Sequence, residues 1–172
     1  MNHVTKAVFR GAGWGFVSSY FGWVSKYAKH PEKAPLEYRL NKLRQLTLKI
    51  TKTLNAELTV YGKENILEDT TCCYFPNHLA VYDPLIMLTS MKKNLGFVAK
   101  KELEKAIYVG KAYKAIDGVF MDRDDLRQSL KVMQNVQKSL QENEKSWVIF
   151  PEGTRLKDQN ALIGAFHYGS FK

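Results

Sequence analysis

The sequence predicts an α/β fold, in which a mostly parallel or mixed sheet is covered by helices and preceded by N-terminal amphipathic helices. From Glu57 onward, short apolar runs of strand length alternate with segments of helical character, a pattern typical of a sheet covered on both faces. Before residue 55, apolar residues recur at helical spacing. The length of 172 residues suits one domain with a substantial core.

Five strands and one long helix make up the predicted α/β part. The helix begins near Asp124 and Asp125, whose carboxylates suit a helix N-terminus. Its apolar stripe is predicted to be buried and contains Leu126, Leu130, Met133, Val136 and Leu140. The predicted strands cover residues 58–61, 72–75, 96–99, 118–121 and 147–150.

The positive charge is concentrated at the N-terminus. The chain has a net charge of +9, and residues 1–55 hold ten Lys or Arg against Glu32 and Glu37, a balance of +8. We therefore predict two regions: residues 1–55 as a basic, aromatic, amphipathic segment apposed to a membrane, and residues 56–172 as the α/β domain. Such a basic segment suits two partners, anionic lipid and nucleic acid.

Two helices are predicted within this basic segment. Residues 1–30 mix aromatic and basic side chains, and Trp14, Val17, Phe21 and Val24 recur at helical spacing, as an interfacial helix requires. The alternative is an aromatic helix that docks on the protein's own core. The second helix spans residues 36–54 and is predicted to carry a solvated basic face, made of Arg39, Lys42, Arg44, Lys49 and Lys52.

Nothing in the sequence predicts a bilayer span or a metal site. The longest uncharged stretch, Gly11 to Ser25, holds 15 residues including four Gly and three Ser, whereas a span needs about 20 apolar residues. Cys72 and Cys73 are adjacent on a predicted strand, so their side chains point to opposite faces and we expect two small buried residues in a reducing compartment. We expect a cytoplasmic protein without a signal peptide or a zinc site.

The first candidate for chemistry is the imidazole of His78 with the carboxylate of Asp83, five residues later. His78 follows a predicted strand, and Asp83 precedes Pro84 and an apolar run, so Asp83 is predicted to be a helix N-cap. A carboxylate can fix the tautomer of an imidazole and leave its other nitrogen free as a general base. The alternative is an Asp that only caps the helix and a His that packs nearby.

Two further predicted strands end in arginine. Residues 118–123 read Gly-Val-Phe-Met-Asp-Arg and residues 150–155 read Phe-Pro-Glu-Gly-Thr-Arg. If the strands run in the same direction, their carboxyl ends share the edge of the sheet where α/β proteins bind ligands. The planar guanidinium groups of Arg123 and Arg155 suit a phosphate, which would then lie beside a general base.

These motifs, in this order, resemble the glycerolipid acyltransferase family, and within it the bacterial 1-acylglycerol-3-phosphate acyltransferases. The resemblance rests on the HX4D motif at His78, the strand ending at Arg123, and the Glu152-Gly153-Thr154-Arg155 run. It covers about residues 58–172. The family has a fourth, Pro-containing motif, and residues 163–169 look like its lead-in. We therefore expect the α/β domain to lack its C-terminal part, so that the chain is either a fragment or unusually short.

The resemblance implies transfer of a fatty acyl group from acyl-CoA or acyl carrier protein to the free hydroxyl of lysophosphatidic acid, which gives phosphatidic acid. His78 is expected to be the general base and Asp83 its orienting carboxylate. No Ser or Cys has a nucleophile-elbow pattern, so the hydroxyl would attack directly. The expected phosphate-binding residues are Arg123, Glu152, Gly153, Thr154 and Arg155, with Asn77, Gly118 and Phe120 in supporting roles.

No cofactor or metal is expected, and the oxyanion donor is either the Asn77 side chain or a backbone N–H near His78. The resemblance implies a peripheral protein on the cytoplasmic face of the cell membrane, with anionic lipid and not nucleic acid as its partner. Two alternatives stay open: an acyltransferase acting on glycerol 3-phosphate or another lysophospholipid, and a non-catalytic peripheral membrane-binding protein.

Overall fold

The computed structural model describes residues 14–53 and 55–153, with side chains from Tyr20 onward. The helices are α1 (Trp14–Lys29), α2 (Leu36–Thr53), α3 (Asp83–Ser90), α4 (Val109–Ala115) and α5 (Leu126–Gln141). The strands are β1 (Cys73–Tyr74), β2 (Leu95–Lys100), β3 (Val119–Met121) and β4 (Ser146–Val148). Short 3₁₀ turns cover Pro31–Lys33, Lys63–Asn65 and Lys101–Lys105.

The four strands form one parallel sheet in the order β1-β4-β2-β3. Cys73 pairs with Trp147, Phe97 with Val148, and Ala99 with Phe120. The predicted α/β fold with a mostly parallel sheet is therefore confirmed. Because every strand runs in the same direction, all four carboxyl ends lie at one edge of the sheet.

One face of the sheet carries the main hydrophobic core. Phe97 and Val148 are buried there with Leu40 of α2 and Leu88 of α3. The amphipathic helix predicted for residues 36–54 is thus present as α2. Its leucines share a core with the sheet, although α2 precedes the predicted boundary at residue 55.

The described part of α1 also packs on the protein. Val24 and Tyr27 are buried, and the ring of Phe21 lies 4.3 Å from that of Tyr108, centroid to centroid. Lys111 Nζ donates a hydrogen bond to Ser25 Oγ at 3.0 Å. Residues 20–29 therefore follow the alternative in which the aromatic helix docks on its own core. Among the residues that the structure describes, no helix combines the length and apolar character needed to cross a membrane.

Arg39 does not lie on a solvated basic face, so that prediction was wrong. Its guanidinium is buried and donates two hydrogen bonds to the Asp117 carboxylate, at 2.8 and 2.6 Å, and one to Ala115 O at 2.8 Å. The physical reason is helical spacing: Arg39 precedes the buried Leu43 by four residues and so shares its face. The pair ties α2 to the loop before β3.

Two other predictions about elements were wrong. Residues 58–61 form no strand; they lie exposed, with Tyr61 almost fully in solvent, and pair with no strand among the described residues. On α5, Val136 of the predicted stripe is buried, but Leu126 is 72% and Leu130 is 55% exposed, and the buried Val132 lies outside the predicted stripe. The predicted stripe is displaced because α5 packs through a neighbouring face and turns the leucines toward a groove.

Candidate active site

The site lies at the carboxyl-end edge of the sheet, where three strands deliver polar residues. His78 follows β1, Arg123 follows β3, and Glu152 and Gly153 follow β4. His78, Arg123 and Gly153 all line one groove. The structure thus brings together residues that lie 30 to 75 positions apart in the sequence, as the parallel strand ends predicted.

The His78 imidazole and the Asp83 carboxylate form a hydrogen-bonded pair. Nδ1 of His78 lies 2.8 Å from Oδ2 of Asp83, and both side chains are mostly buried. The carboxylate favours the tautomer with the proton on Nδ1, which leaves Nε2 as an acceptor for another proton. The imidazole also packs on the Phe150 ring, with 4.3 Å between ring centroids. Both contacts fix the orientation of the imidazole.

Asp83 is the first residue of α3 and not its N-cap, which corrects the sequence-based prediction. Tyr82 occupies the N-cap and makes no side-chain capping hydrogen bond. The Asp83 carboxylate instead accepts hydrogen bonds from the backbone N–H groups of Leu79 and Ala80, both at 2.8 Å. Asp83 therefore organises the loop that carries His78, and α3 begins with Pro84 in its first turn.

Glu152 also contacts the loop that carries His78. Its side chain is 5% exposed, and Oε1 accepts a hydrogen bond from the His78 backbone N–H at 3.1 Å. Its Oε2 atom is buried without a hydrogen-bond partner in the part of the chain that the structure describes. This geometry gives Glu152 a role in positioning the His78 loop.

Arg123 lies directly against the backbone of Gly153. Gly153 has φ +69°, and a Cβ built on it would lie 1.8 Å from Nη1 of Arg123. The positive φ favours glycine at this position, and a larger residue would also displace the Arg123 guanidinium. Arg123, Gly153 and His78 line the same groove.

The turn that carries Arg123 is held by hydrogen bonds to Asp122. The backbone N–H of Asp122 donates a hydrogen bond to Gln128 Oε1 at 2.8 Å, and the backbone carbonyl of Asp122 accepts one from Ser129 Oγ at 2.6 Å. Lys101 Nζ lies 2.7 Å from the Asp122 carboxylate, and this hydrogen bond lowers the pKa of that carboxyl below its usual value. No sequence motif indicates these contacts, which fix the backbone of the residue before Arg123.

The remaining predicted residues lie at different distances from this centre. Asn77 is exposed beside His78. Gly118 precedes β3, at the opposite end of that strand from Arg123, and Phe120 packs against the Tyr113 ring with 5.9 Å between centroids. Gly118 and Phe120 therefore contribute to the packing of β3. Thr154 and Arg155 lie outside the described residues.

An apolar groove of about 1020 Å³ opens beside the imidazole. Its walls come from α5 and from the sheet face opposite the main core, and they include Val98, Met121, Leu126, Leu130 and Met133. The sequence predicts the α5 stripe as core, and the structure differs because a buried stripe and a groove wall have the same helical periodicity. No group of three or more His, Cys, Asp or Glu within residues 14–53 and 55–153 is arranged to hold a metal ion.

Cys73 also lines this groove, on the face opposite Tyr74. Burial, together with the neighbouring Cys72, raises the pKa of the Cys73 thiol to about 12. The thiol is therefore protonated at neutral pH and a weak nucleophile.

The fold and the site define a class: an α/β protein with an oriented imidazole and an arginine at the mouth of an apolar groove, suited to proton transfer on an anionic, partly apolar substrate. Residues 57–172 match the family model described as Acyltransferase, so the chain belongs to the acyltransferase family.

Two curated relatives share this likeness. The chain is 30% identical over 151 residues to the "Probable 1-acyl-sn-glycerol-3-phosphate acyltransferase" of Mycoplasma pneumoniae, covering 85% of this chain and 55% of that protein. It is 28% identical over 116 residues to the "1-acyl-sn-glycerol-3-phosphate acyltransferase" of Borreliella burgdorferi, covering 67% of this chain and 45% of that protein. The chain thus spans about half the length of these relatives.

The fold has also been seen in a crystal structure. The 1-acyl-sn-glycerophosphate (LPA) acyltransferase of Thermotoga maritima superposes with a TM-score of 0.67 at 23% identity, over 98% of this chain and 66% of that one. At this identity the likeness concerns the fold, and it agrees with the predicted α/β class.

Proposed function

We propose that this protein transfers a fatty acyl group from a thioester of coenzyme A or acyl carrier protein to the free hydroxyl of lysophosphatidic acid, forming phosphatidic acid in phospholipid biosynthesis. The observation that carries the proposal is the 2.8 Å contact between His78 Nδ1 and Asp83 Oδ2 at the mouth of the apolar groove. The names of the relatives support the choice of lysophosphatidic acid as acceptor.

His78 acts as the general base. Its Nε2 atom takes the proton of the acceptor hydroxyl while that oxygen attacks the thioester carbonyl carbon. When the tetrahedral intermediate collapses, the C–S bond breaks and the imidazolium returns its proton to the departing thiolate. Asp83 stabilises the imidazolium through Nδ1. The oxyanion is held by the Asn77 side chain or by a backbone N–H near His78.

The acceptor hydroxyl attacks directly, without an acyl-enzyme. Cys73 is the thiol that the structure places in the groove, and burial raises its pKa to about 12. A thiol with this pKa supplies almost no thiolate at neutral pH, so it cannot compete with the activated hydroxyl.

The phosphate of the acceptor is bound by Arg123 and the adjoining backbone of Gly153, with Thr154 and Arg155 completing the site. The Arg123 guanidinium lies against Gly153 in the groove that His78 also lines, and its planar fork matches two phosphate oxygens at once. Glu152 serves the same site indirectly, since it holds the His78 loop. The apolar groove takes the hydrocarbon of a substrate.

The protein works as a peripheral enzyme on the cytoplasmic face of the membrane, with anionic lipid as its partner. The balance of +8 in residues 1–55 supports attraction to an anionic surface. Flotation with liposomes at two salt concentrations tests this placement. Binding to anionic liposomes that weakens with salt but partly survives fits charge attraction with aromatic insertion, whereas the absence of liposome binding at both salt concentrations would contradict it.

A panel of acceptors tests the reaction itself. Purified protein is mixed with acyl-CoA or acyl carrier protein thioester, and release of free thiol is followed with lysophosphatidic acid, glycerol 3-phosphate or a lysolipid with a larger headgroup. We expect lysophosphatidic acid to give the highest kcat/KM. Faster turnover of another acceptor would replace the proposed substrate, and the absence of acceptor-dependent thiol release would favour a non-catalytic membrane-binding protein.

A further inference from the structure

Three consecutive large side chains after the Lys101–Lys105 turn, at the start of α4, are partly or mostly exposed. Ile107 is 67%, Tyr108 is 42% and Val109 is 36% exposed, and the nearby Leu103 is also exposed. Together these four residues form what we call the rim patch. Single exposed apolar residues are ordinary, but a contiguous group of large ones marks an interaction surface.

The rim patch borders the mouth of the groove. The Lys101–Lys105 turn follows β2 directly, so it lies at the same edge of the sheet as His78 and Arg123. Leu103 belongs both to the rim patch and to the lining of the groove. An amphiphile held at the patch would therefore reach the imidazole without crossing an open stretch of water.

The surroundings of the rim patch are basic. Residues 100–114 contain five Lys and two Glu, a balance of +3. Lys105 is exposed and forms no ion pair within the described residues, so its ammonium is available to a partner. The ring contact between Tyr108 and Phe21 connects the patch to α1, which belongs to the more strongly basic N-terminal region.

We propose that the rim patch seats the protein on an anionic lipid bilayer and feeds lysolipid from the bilayer into the groove. Ile107 and Val109 enter the boundary between headgroups and acyl chains, Tyr108 lies at headgroup level, and the ammonium of Lys105 meets an anionic headgroup. An acidic carrier protein would match the charge, but it would not account for consecutive exposed aliphatic side chains beside a lipid-sized groove. The bilayer contact does not depend on the proposed reaction, whereas the feeding of substrate rests on it.

The test compares the double variant Ile107→Ser/Val109→Ser with Leu67→Ser. Leu67 is a matched control because it is 59% exposed and lies before β1, away from the carboxyl-end edge of the sheet. Flotation uses vesicles of phosphatidylcholine with and without phosphatidylglycerol. We expect the double variant to lose at least about tenfold in partition onto anionic vesicles, since two aliphatic side chains no longer insert. Leu67→Ser should bind as the wild type does.

Equal vesicle binding by the double variant and the wild type would overturn the proposal, and so would an equal loss in Leu67→Ser. If the double variant still bound vesicles but no longer bound an acidic acyl carrier protein, the partner of the rim patch would be a protein and not a bilayer. Thermal unfolding midpoints of the variants should match that of the wild type.

Activity on dispersed short-chain substrates separates this proposal from the proposed function. The double variant should keep wild-type kcat on monomeric lysolipid and lose rate only on substrate presented in vesicles. A wild type that binds vesicles through the patch but transfers no acyl group would refute the reaction and leave the surface intact. Normal transfer from vesicles by the double variant would refute the surface and leave the reaction intact.

Discussion

The carboxylate of Glu152 accepts a hydrogen bond from the backbone N–H of His78 at 3.1 Å, although 74 residues separate them in the chain. The contact joins the loop after β4 to the loop after β1, strands that are neighbours in the sheet. Asp83 holds the same loop through Leu79 and Ala80. Two carboxylates thus fix the backbone that presents the imidazole, and one of them also orients its ring.

Glu152→Ala should lower kcat more than it raises KM for the phosphorylated acceptor, because a misplaced imidazole affects the chemical step. A lost hydrogen bond to a charged group corresponds to about 1.5–3 kcal/mol, or roughly 10- to 150-fold in kcat. Glu152→Gln keeps an acceptor oxygen and should recover most of the rate. Steady-state kinetics on the three proteins checks this, and a pure KM effect would instead assign Glu152 to the phosphate.

Gly153→Ala should displace Arg123. The added Cβ would lie 1.8 Å from Nη1, at a residue with φ +69° where alanine is strained. We expect KM for the phosphorylated acceptor to rise about tenfold or more, through lost guanidinium contacts. Gly22→Ala is the matched control, since a Cβ there meets nothing within 4 Å. Unchanged acceptor KM in Gly153→Ala would remove Arg123 from the phosphate site.

Arg39→Ala should destabilise the fold by about 2–4 kcal/mol, because it leaves Asp117 without its two hydrogen bonds. The value lies toward the lower end expected for a buried pair, since Asp117 is partly exposed. Urea unfolding measures it. Lys49→Ala on the exposed side of the same helix should stay within about 0.5 kcal/mol of the wild type. A loss no larger for Arg39→Ala than for Lys49→Ala would show that the pair does not stabilise the fold.

Stability should fall at alkaline pH. Burial raises the pKa of Cys73 from 9.0 to about 12, and raises that of Tyr20 and Tyr113 from 10.0 to about 12. Because the unfolded chain releases these protons first, the stabilisation is complete below about pH 8.5 and is lost as pH rises from there toward 12. Cys73→Ala should flatten the decline between about pH 8.5 and 10. An unchanged slope in urea titrations would contradict the burial of this thiol.

The sequence predicted the parts of the site that depend on neighbouring residues or on the direction of the strands. His78 and Asp83 lie five residues apart across one strand-loop-helix turn, so a single stretch predicts their contact. The presence of His78 and Arg123 in one groove followed from a general property of parallel sheets, that strand ends of one polarity share an edge. The structure describes both juxtapositions.

What the sequence missed depends on contacts between distant segments. Arg39 is one of several basic residues in α2 that suggest a solvated face. Its burial is favourable because its guanidinium pairs with Asp117, 78 residues later in the chain. Leu126 and Leu130 have the periodicity of a core, yet they face the groove. Glu152 belongs to a predicted phosphate-binding run, and the sequence alone does not indicate its hydrogen bond to the His78 backbone. Periodicity identifies an apolar face but not what covers it.

The central claim is that His78 removes the proton from the acceptor hydroxyl. The most direct measurement is kcat for thiol release from an acyl thioester with lysophosphatidic acid, in wild type, His78→Ala and His30→Ala. His30 lies exposed near Glu32, is not among the residues that line the groove, and serves as the control. We predict that folded His78→Ala loses about 10²- to 10⁴-fold in kcat, while His30→Ala keeps wild-type turnover. Near-normal turnover by His78→Ala would contradict the proposed role of this imidazole.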